Sequence, residues 1–417
     1  MGTFVRIAWR NMWRNPRRSG LVVAAMAVGL WGLIFSLGFM DGMSRQMIDN
    51  TVDSHMGHLQ VHNADYQARV KGFNMFHYQL DKYISDPGPV EQAIDASEYV
   101  VAWSPRIITT GLATNAQKAA GVAIVGIDPK RESEVTNIAR SLVNGRYIEP
   151  ASENTIFIGE ALAKKLGIDV GSKIVLMAQD IHRDKAMAAF RVVGTYKTVS
   201  STFDKSFVYI SIGAAQKMLG MAELVNEFVI LVDDPSKKLE VAKASVAQKL
   251  DKTKYSVMTW REIWPLLVRI VEMSNIFTYV FFILIFIAMA FGIANAVLMA
   301  VFERIREFGI MKALGAKPSQ VFLLVAIESI CLGIVGVATG ILIGWATVYY
   351  FGRQGVNLAV FSAVLEQMGL GSVIYTSTNV SFFIWGGLIA LVTAFLSSLW
   401  PASKAAKLVP VDAIRHV

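Results

Sequence analysis

The residues best suited to chemistry form one short charged run: Glu303-Arg304-Ile305-Arg306-Glu307-Phe308-Gly309-Ile310-Met311-Lys312-Ala313-Leu314-Gly315-Ala316, followed by Pro318. A short helix of this composition presents Glu and Arg side chains to water, and Gly315 stands where such a helix can end at C′. Nothing in the run makes or breaks bonds. Its chemistry is docking, as a rigid lever seated in a groove of a partner protein. The alternative is a topological anchor whose charges only fix membrane orientation. Glu328 is a second candidate, a carboxylate inside an apolar run, where charge is costly and functional by default; an interhelical hydrogen bond and a transport role both fit it. His55, His58 and His62 invite a metal. However, Gly57 and the β-like run after it argue against one helical face, and only His58 and His62 would share a strand face. A zinc site also needs a third ligand and an ordered second shell. No Ser-His-Asp or paired-carboxylate set stands out, and G-x-x-x-x-G-K-[ST] is absent. The sequence therefore predicts no catalytic residue, no metal and no cofactor held by this chain. ATP, if used, is bound by a partner.

Methionines form a softer signal. Met40, Met43 and Met47 follow one apolar run, and Phe282, Met289 and Met299 lie in another. Unbranched thioethers adapt to irregular apolar surfaces, which suits acyl chains entering between helices as well as it suits ordinary packing. Cys331 is the single cysteine, so no internal disulfide forms and a buried thiol is expected.

The elements that carry these residues belong to a membrane. Charged residues are 17% of the chain and hydrophobic ones 54%, with mean hydropathy +0.45, whereas soluble domains are about a quarter charged. Four stretches reach the roughly 20 apolar residues that cross a bilayer: Leu21–Met40, Ile276–Phe302, about Val321–Phe351 around Glu328, and about Val380–Pro401. The first is too long for a signal-peptide core and no small-x-small site follows it, so an uncleaved anchor is expected. The net charge is 40 − 32 = +8, yet residues 41–275 hold 27 basic and 27 acidic residues. The excess flanks the apolar runs, as Arg6, Arg10, Arg14, Arg17 and Arg18 before the first, Arg304, Arg306, Lys312 and Lys317 after the second, and Lys404, Lys407 and Arg415 after the last. That pattern excludes a nucleic-acid face. It predicts cytoplasmic residues 1–20, 303–320 and 402–417, with 41–275 and 352–379 outside. Gly336, Gly340 and Gly344 give the third span a small-residue face for close helix packing.

Between spans one and two the pattern is α+β. Val122–Ile127, Thr155–Ile158, Lys173–Met177, Phe190–Thr195, Phe207–Ile210 and Glu227–Val232 read as strands. Ile156–Leu166 contains a strand-to-helix turn, and Ser236–Leu250 reads as an amphipathic helix. Helical periodicity continues past the first span to about Val52 and begins again near Trp260. A continuous helix from Trp260 to Phe302 would measure roughly 64 Å, a stalk able to carry motion out of the membrane.

These features together resemble the FtsX-like family, the membrane subunits of MacB-type ABC transporters. The charged loop, the amino end Trp9-Arg10-Asn11-Met12-Trp13-Arg14-Asn15-Pro16-Arg17-Arg18, the carboxyl end Pro401-Ala402-Ser403-Lys404-Ala405-Ala406 with Pro410-Val411-Asp412-Ala413-Ile414-Arg415, and the 1 + 3 span layout all match. Gly57-His58-Leu59-Gln60-Val61-His62, Asn144-Gly145-Arg146 and Thr259-Trp260-Arg261 look more like the LolC/LolE branch, which releases lipoproteins. The resemblance implies a four-helix membrane protein with a MacB-type α+β periplasmic domain between the first two spans, in the inner membrane. It implies two copies of a separate ATPase, which bind ATP and Mg and dock on Glu303, Arg304, Arg306, Glu307, Gly309, Lys312, Ala313, Leu314 and Gly315. It also implies a second permease, identical or related, a lipoprotein cargo and a periplasmic carrier. The carrier-docking hairpin of the branch belongs near Gln179–Lys185, where this sequence is short and departs from the pattern. Two other functions keep the family: regulation of a periplasmic cell-wall hydrolase, and export of a peptide, drug or haem.

Overall fold

A computed structural model describes residues 2–14, 16–66, 82–150 and 152–415. Among these, four helices are long and apolar enough to cross a membrane, within 19–56, 265–303, 318–354 and 380–406. The chain divides into two compact units. One comprises residues 1–44, 272–357 and 373–417, the other residues 45–271 and 358–372.

The membrane unit is built on close helix contact. A methyl group added at Gly336 would fall 2.8 Å from Met26 Cβ, and at Gly340 or Gly344 it would fall 3.0 Å from Leu30 Cβ or Ile34 Cδ1. The glycine face of span three is therefore the groove that admits span one, since lipid gives packing rather than hydrophobic exclusion the main role. Gly38 and Gly42 do the same for the segment returning to span four, lying against Ser377 and Tyr375, and Ser377 N donates to Gly38 O at 2.8 Å. The amino-terminal helix Gly2–Arg14 packs on the third span through Ala8 and Met12, leaving Trp9 and Trp13 exposed.

The outer unit contains, among the described residues, a ten-stranded mixed sheet: β1 (Leu59–Asn63), β2 (Val100–Thr114), β3 (Ala119–Ile127), β4 (Leu142–Gly145), β5 (Thr155–Gly159), β6 (Lys173–Gln179), β7 (Lys185–Tyr196), β8 (Phe207–Ser211), β9 (Glu227–Val232) and β10 (Tyr255–Thr259). The order is β10-β1-β9-β2-β3-β8-β5-β7-β4, with β6 bridging β2 and β7. Only β3 with β8 and β5 with β7 pair in parallel. Helices Glu160–Leu166 and Ile212–Leu219 close one core, around Ile107, Ile158, Leu162 and Ile210.

One expectation is corrected here. The stalk before span two is not one helix: Thr259 caps a short turn, Trp260–Ile263, and Trp264 breaks it at φ −125°, ψ 70°. A new helix then runs Pro265–Glu303. Pro265 lacks an N–H and fits only a first turn, so it starts a helix rather than sitting inside one. The helix after span one extends Pro16–Thr51 and ends in a π-turn, Val52–Met56, at Gly57 (φ 61°).

Candidate coupling surface

The charged loop folds as a helix, Ile305–Ala313, ended by a Schellman motif. Gly315 N donates to Lys312 O at 3.1 Å, Ala316 N donates to Met311 O at 3.0 Å, and Gly315 takes φ +98°. Only glycine accepts that backbone freely, so the type at 315 sets where the helix stops.

The expected ATPase-facing set separates into two groups. Glu303, Arg306, Ala313, Leu314 and Gly315 are exposed, Leu314 at 84%. Arg304 and Gly309 are buried and Glu307 and Lys312 are half-buried, so Arg304 is not among the side chains that the helix presents to water. Arg304 turns inward instead, giving Nη1 to both Glu328 oxygens at 2.9 and 3.2 Å and Nε to Glu307 Oε2 at 2.8 Å. Arg14 of the amino-terminal helix also donates to Glu307. Burial favours the neutral Glu307 carboxyl, yet the hydrogen bonds from Arg304 and Arg14 outweigh it and hold the group below the usual carboxylate range. Glu328 thus belongs to an ionic chain, Arg14–Glu307–Arg304–Glu328, joining the amino-terminal helix, the loop and span three. Lys312 Nζ donates to Ala406 O at 2.9 Å and Leu408 O at 2.6 Å. There it satisfies the Ala406 carbonyl, which the end of helix Val380–Ala406 leaves without an intrahelical partner, and the Leu408 carbonyl just beyond it, at the negative end of the helix dipole. The terminal helix Pro410–Arg415 also packs against the loop helix. The loop helix is fixed on one side at three separate places and presents the other to water.

The candidate acyl-contact residues differ in exposure. Met289 is buried, its Sδ 3.3 Å from where a Cβ at Gly29 would stand, and so packs span two on span one. Met40, Met43 and Phe282 are half-buried and Met47 is buried. The histidines scatter: His58 Nδ1 accepts from Val232 N at 2.9 Å, His62 Nε2 lies 2.8 Å from Gln60 Oε1, and His55 lies in the π-turn. Burial drives the His62 imidazole down to about 3, so it is neutral. Among the described residues no group of three potential ligands could hold a metal. At Gln179–Lys185 the chain does form a hairpin: β6 and β7 pair from Lys173–Arg191 to Gln179–Lys185, and Asp180 Oδ1 accepts from His182 N and Asp184 N in the turn.

One site escaped sequence reading. Arg106, fully buried on β2, gives Nε to Glu132 Oε2 at 3.0 Å and Nη1 to the His55 carbonyl at 2.5 Å, and lies 3.6 Å from Glu227 Oε1. It ties the π-turn closing the stalk helix into the outer sheet. Two carboxylates share one guanidinium, and burial pushes Glu227 up to about 7 despite the attraction of Arg106.

Residues 279–410 match the family described as FtsX-like permease C-terminal, and residues 19–248 match the MacB-like periplasmic core domain. The chain belongs to the FtsX-like, MacB-type family of ABC transporter permeases. It is 22% identical to the lipoprotein-releasing system transmembrane protein LolC of Neisseria meningitidis, with 97% of each chain covered. It is 21% identical to LolE of Haemophilus influenzae, covering 99% of each. A 125-residue stretch is 32% identical to the macrolide export ATP-binding/permease protein MacB of Chlorobium luteolum, covering 30% of this chain and 16% of that one. The permease is thus a multi-pass transmembrane subunit rather than an enzyme.

Proposed function

We propose that this permease couples ATP hydrolysis by a separate ATPase to movement of its outer unit, and that the movement extracts lipoproteins from the inner membrane. Both termini and the 303–320 loop are cytoplasmic in this reading, and residues 41–275 are periplasmic. The observation that carries it is the loop helix, held by Arg304–Glu328, by Lys312 on the end of span four and by the terminal helix, with Arg306, Ala313 and Leu314 left outward. A lever must be rigid toward the body it moves and free toward its driver, and this helix meets both demands. Two ATPase copies binding ATP and Mg would dock on two such helices, one per permease, in a homodimer or a pair of related permeases. Similarity to LolC and LolE over nearly the whole chain supports lipoprotein as cargo. A periplasmic carrier would meet the exposed turn of the β6–β7 hairpin at residues 182–185.

The test is purification of the tagged chain from native membranes and mass spectrometry of what accompanies it. An ATPase with acylated lipoproteins is the expected result. An ATPase with a cell-wall hydrolase and no lipoprotein would replace extraction by regulation, and a bound peptide, drug or haem would replace the cargo. No ATPase would contradict the coupling.

A further inference from the structure

The segment between spans three and four carries an apolar face that the transport reading does not use. Val360 is 93% exposed, Phe361 60%, Val364 57% and Met368 48%. Their i, i+1, i+4, i+8 spacing across the turn Ala359–Phe361 and the helix Ser362–Gln367 groups them on one side. Clustered exposed apolar side chains mark a contact surface, whereas scattered ones do not. The opposite side is fixed to protein. Leu365 and Leu370 are buried, Asn50 Nδ2 of the stalk helix donates to Gly369 O at 3.0 Å, and Glu366 and Ser372 line a polar cleft of about 450 Å³ with Asn50, Asp53, Lys197 and Thr198.

Three observations say what covers the apolar side. The neck of the segment is tied to the ends of spans: Val356–Asn357 pairs with Val373–Ile374, and Ser377 N donates to Gly38 O on span one. Leu358 follows the last residue of span three, Gln354, by four positions, a reach of at most about 14 Å. Span three ends in exposed Trp345, Tyr349 and Tyr350, with the Arg353 guanidinium 4.6 Å over the Tyr349 ring, the aromatic and basic composition of a membrane–water interface. From residue 354 to 372 the only charged side chain is Glu366, which lines the cleft. Four side chains fall short of the roughly 800 Å² per partner of a stable protein interface, whereas insertion into lipid has no such threshold.

We propose that residues 359–368 form a membrane-surface foot, its apolar side inserted shallowly in the bilayer leaflet on the side of residues 41–275 and its polar side holding the stalk helix at Asn50. The foot would tie the position of the stalk to the lipid surface independently of any ATPase.

The test places a single environment-sensitive nitrobenzoxadiazole label at Phe361→Cys, in a Cys331→Ala background, in the full chain reconstituted into nanodiscs. Val364→Cys is a second site should the first variant fold poorly, and Val241→Cys, exposed on the helix Pro235–Ala247, is the control. Lipids brominated near the headgroup end of the acyl chain should cut emission at 361 and 364 by at least about twofold and leave 241 unchanged, while aqueous iodide does the reverse. Iodide quenching at 361 and 364 without bromolipid quenching would overturn the proposal in favour of a free loop. Shielding from both would overturn it in favour of a protein cover, such as a second copy of the chain.

Discussion

Arg304→Ala tests the anchorage of the lever where the structure makes it most demanding. Arg304 and Glu328 expose 9% of their side chains each, and the pair carries two hydrogen bonds. Val22, Val297, Val325 and Leu332 surround Glu328 beside a cavity of about 20 Å³, room for about one water. Removing the guanidinium leaves a carboxylate with at most that water for solvation, and breaking a buried pair in this way costs about 3–5 kcal/mol. Glu328→Gln should cost less, because Arg304 keeps Glu307 at 2.8 Å and the amide still accepts a hydrogen bond. Arg304→Ala with Glu328→Gln together should cost no more than Arg304→Ala alone, since no unpaired charge remains. Arg306→Ala, in the same loop but exposed, should stay within about 0.5 kcal/mol. The assay is unfolding of the four variants in nanodiscs as a double-mutant cycle, with partner-ATPase stimulation measured on each. Strict additivity, or Arg304→Ala no worse than Arg306→Ala, would refute the reasoning.

Other outcomes follow from single contacts. Gly340→Leu forces a side chain against Leu30 and the Ala27 backbone and should cost about 1–3 kcal/mol, read by thermal unfolding, while Gly292→Ala, with no atom within 4 Å, should be nearly silent. Lys312→Met should lower ATPase stimulation and leave the outer unit's stability unchanged, because it releases only the carbonyls of Ala406 and Leu408. Glu227 gives a pH signature. Its carboxyl rises from 4.5 to about 7 in the folded unit, so folding retains a proton the unfolded chain loses. Its contribution is complete below about pH 4.5 and is gone above about pH 7, a difference of roughly 3 kcal/mol. Denaturant titration near pH 5 and near pH 8, followed by the fluorescence of Trp103 against Phe228, should show a decline that Glu227→Gln abolishes; an equal decline in that variant would exclude Glu227 as its source.

What the sequence made legible was periodic and local. Span positions rest on single apolar runs of about 20 residues or more, and the glycine face of span three, the Gly315 helix end and six of the strands rest on patterns within a dozen residues. The long strand β2 was not legible, because Pro105 and Gly111 argue against a strand. In the fold Arg106 O accepts from Asn226 N, and Gly111 lies where β6 crosses, a Cβ there meeting the Met177 carbonyl. The Arg106–Glu132–Glu227 cluster was invisible for a different reason, its members being 26 and 95 positions apart along the chain. The division of the loop into an outward and an inward face depends on Glu328 and Ala406, which loop periodicity cannot report. A helix with charge on every side gives no moment from which to choose a face.

Site-specific photocrosslinking from the loop helix, in cells, bears most directly on the coupling claim. A photoreactive residue at Leu314, 84% exposed, or at Arg306 should join the permease to an ATP-binding protein, and one at half-buried Lys312 should crosslink only within the chain. No ATP-binding partner from Leu314 or Arg306, in a permease that remains folded, would contradict the account.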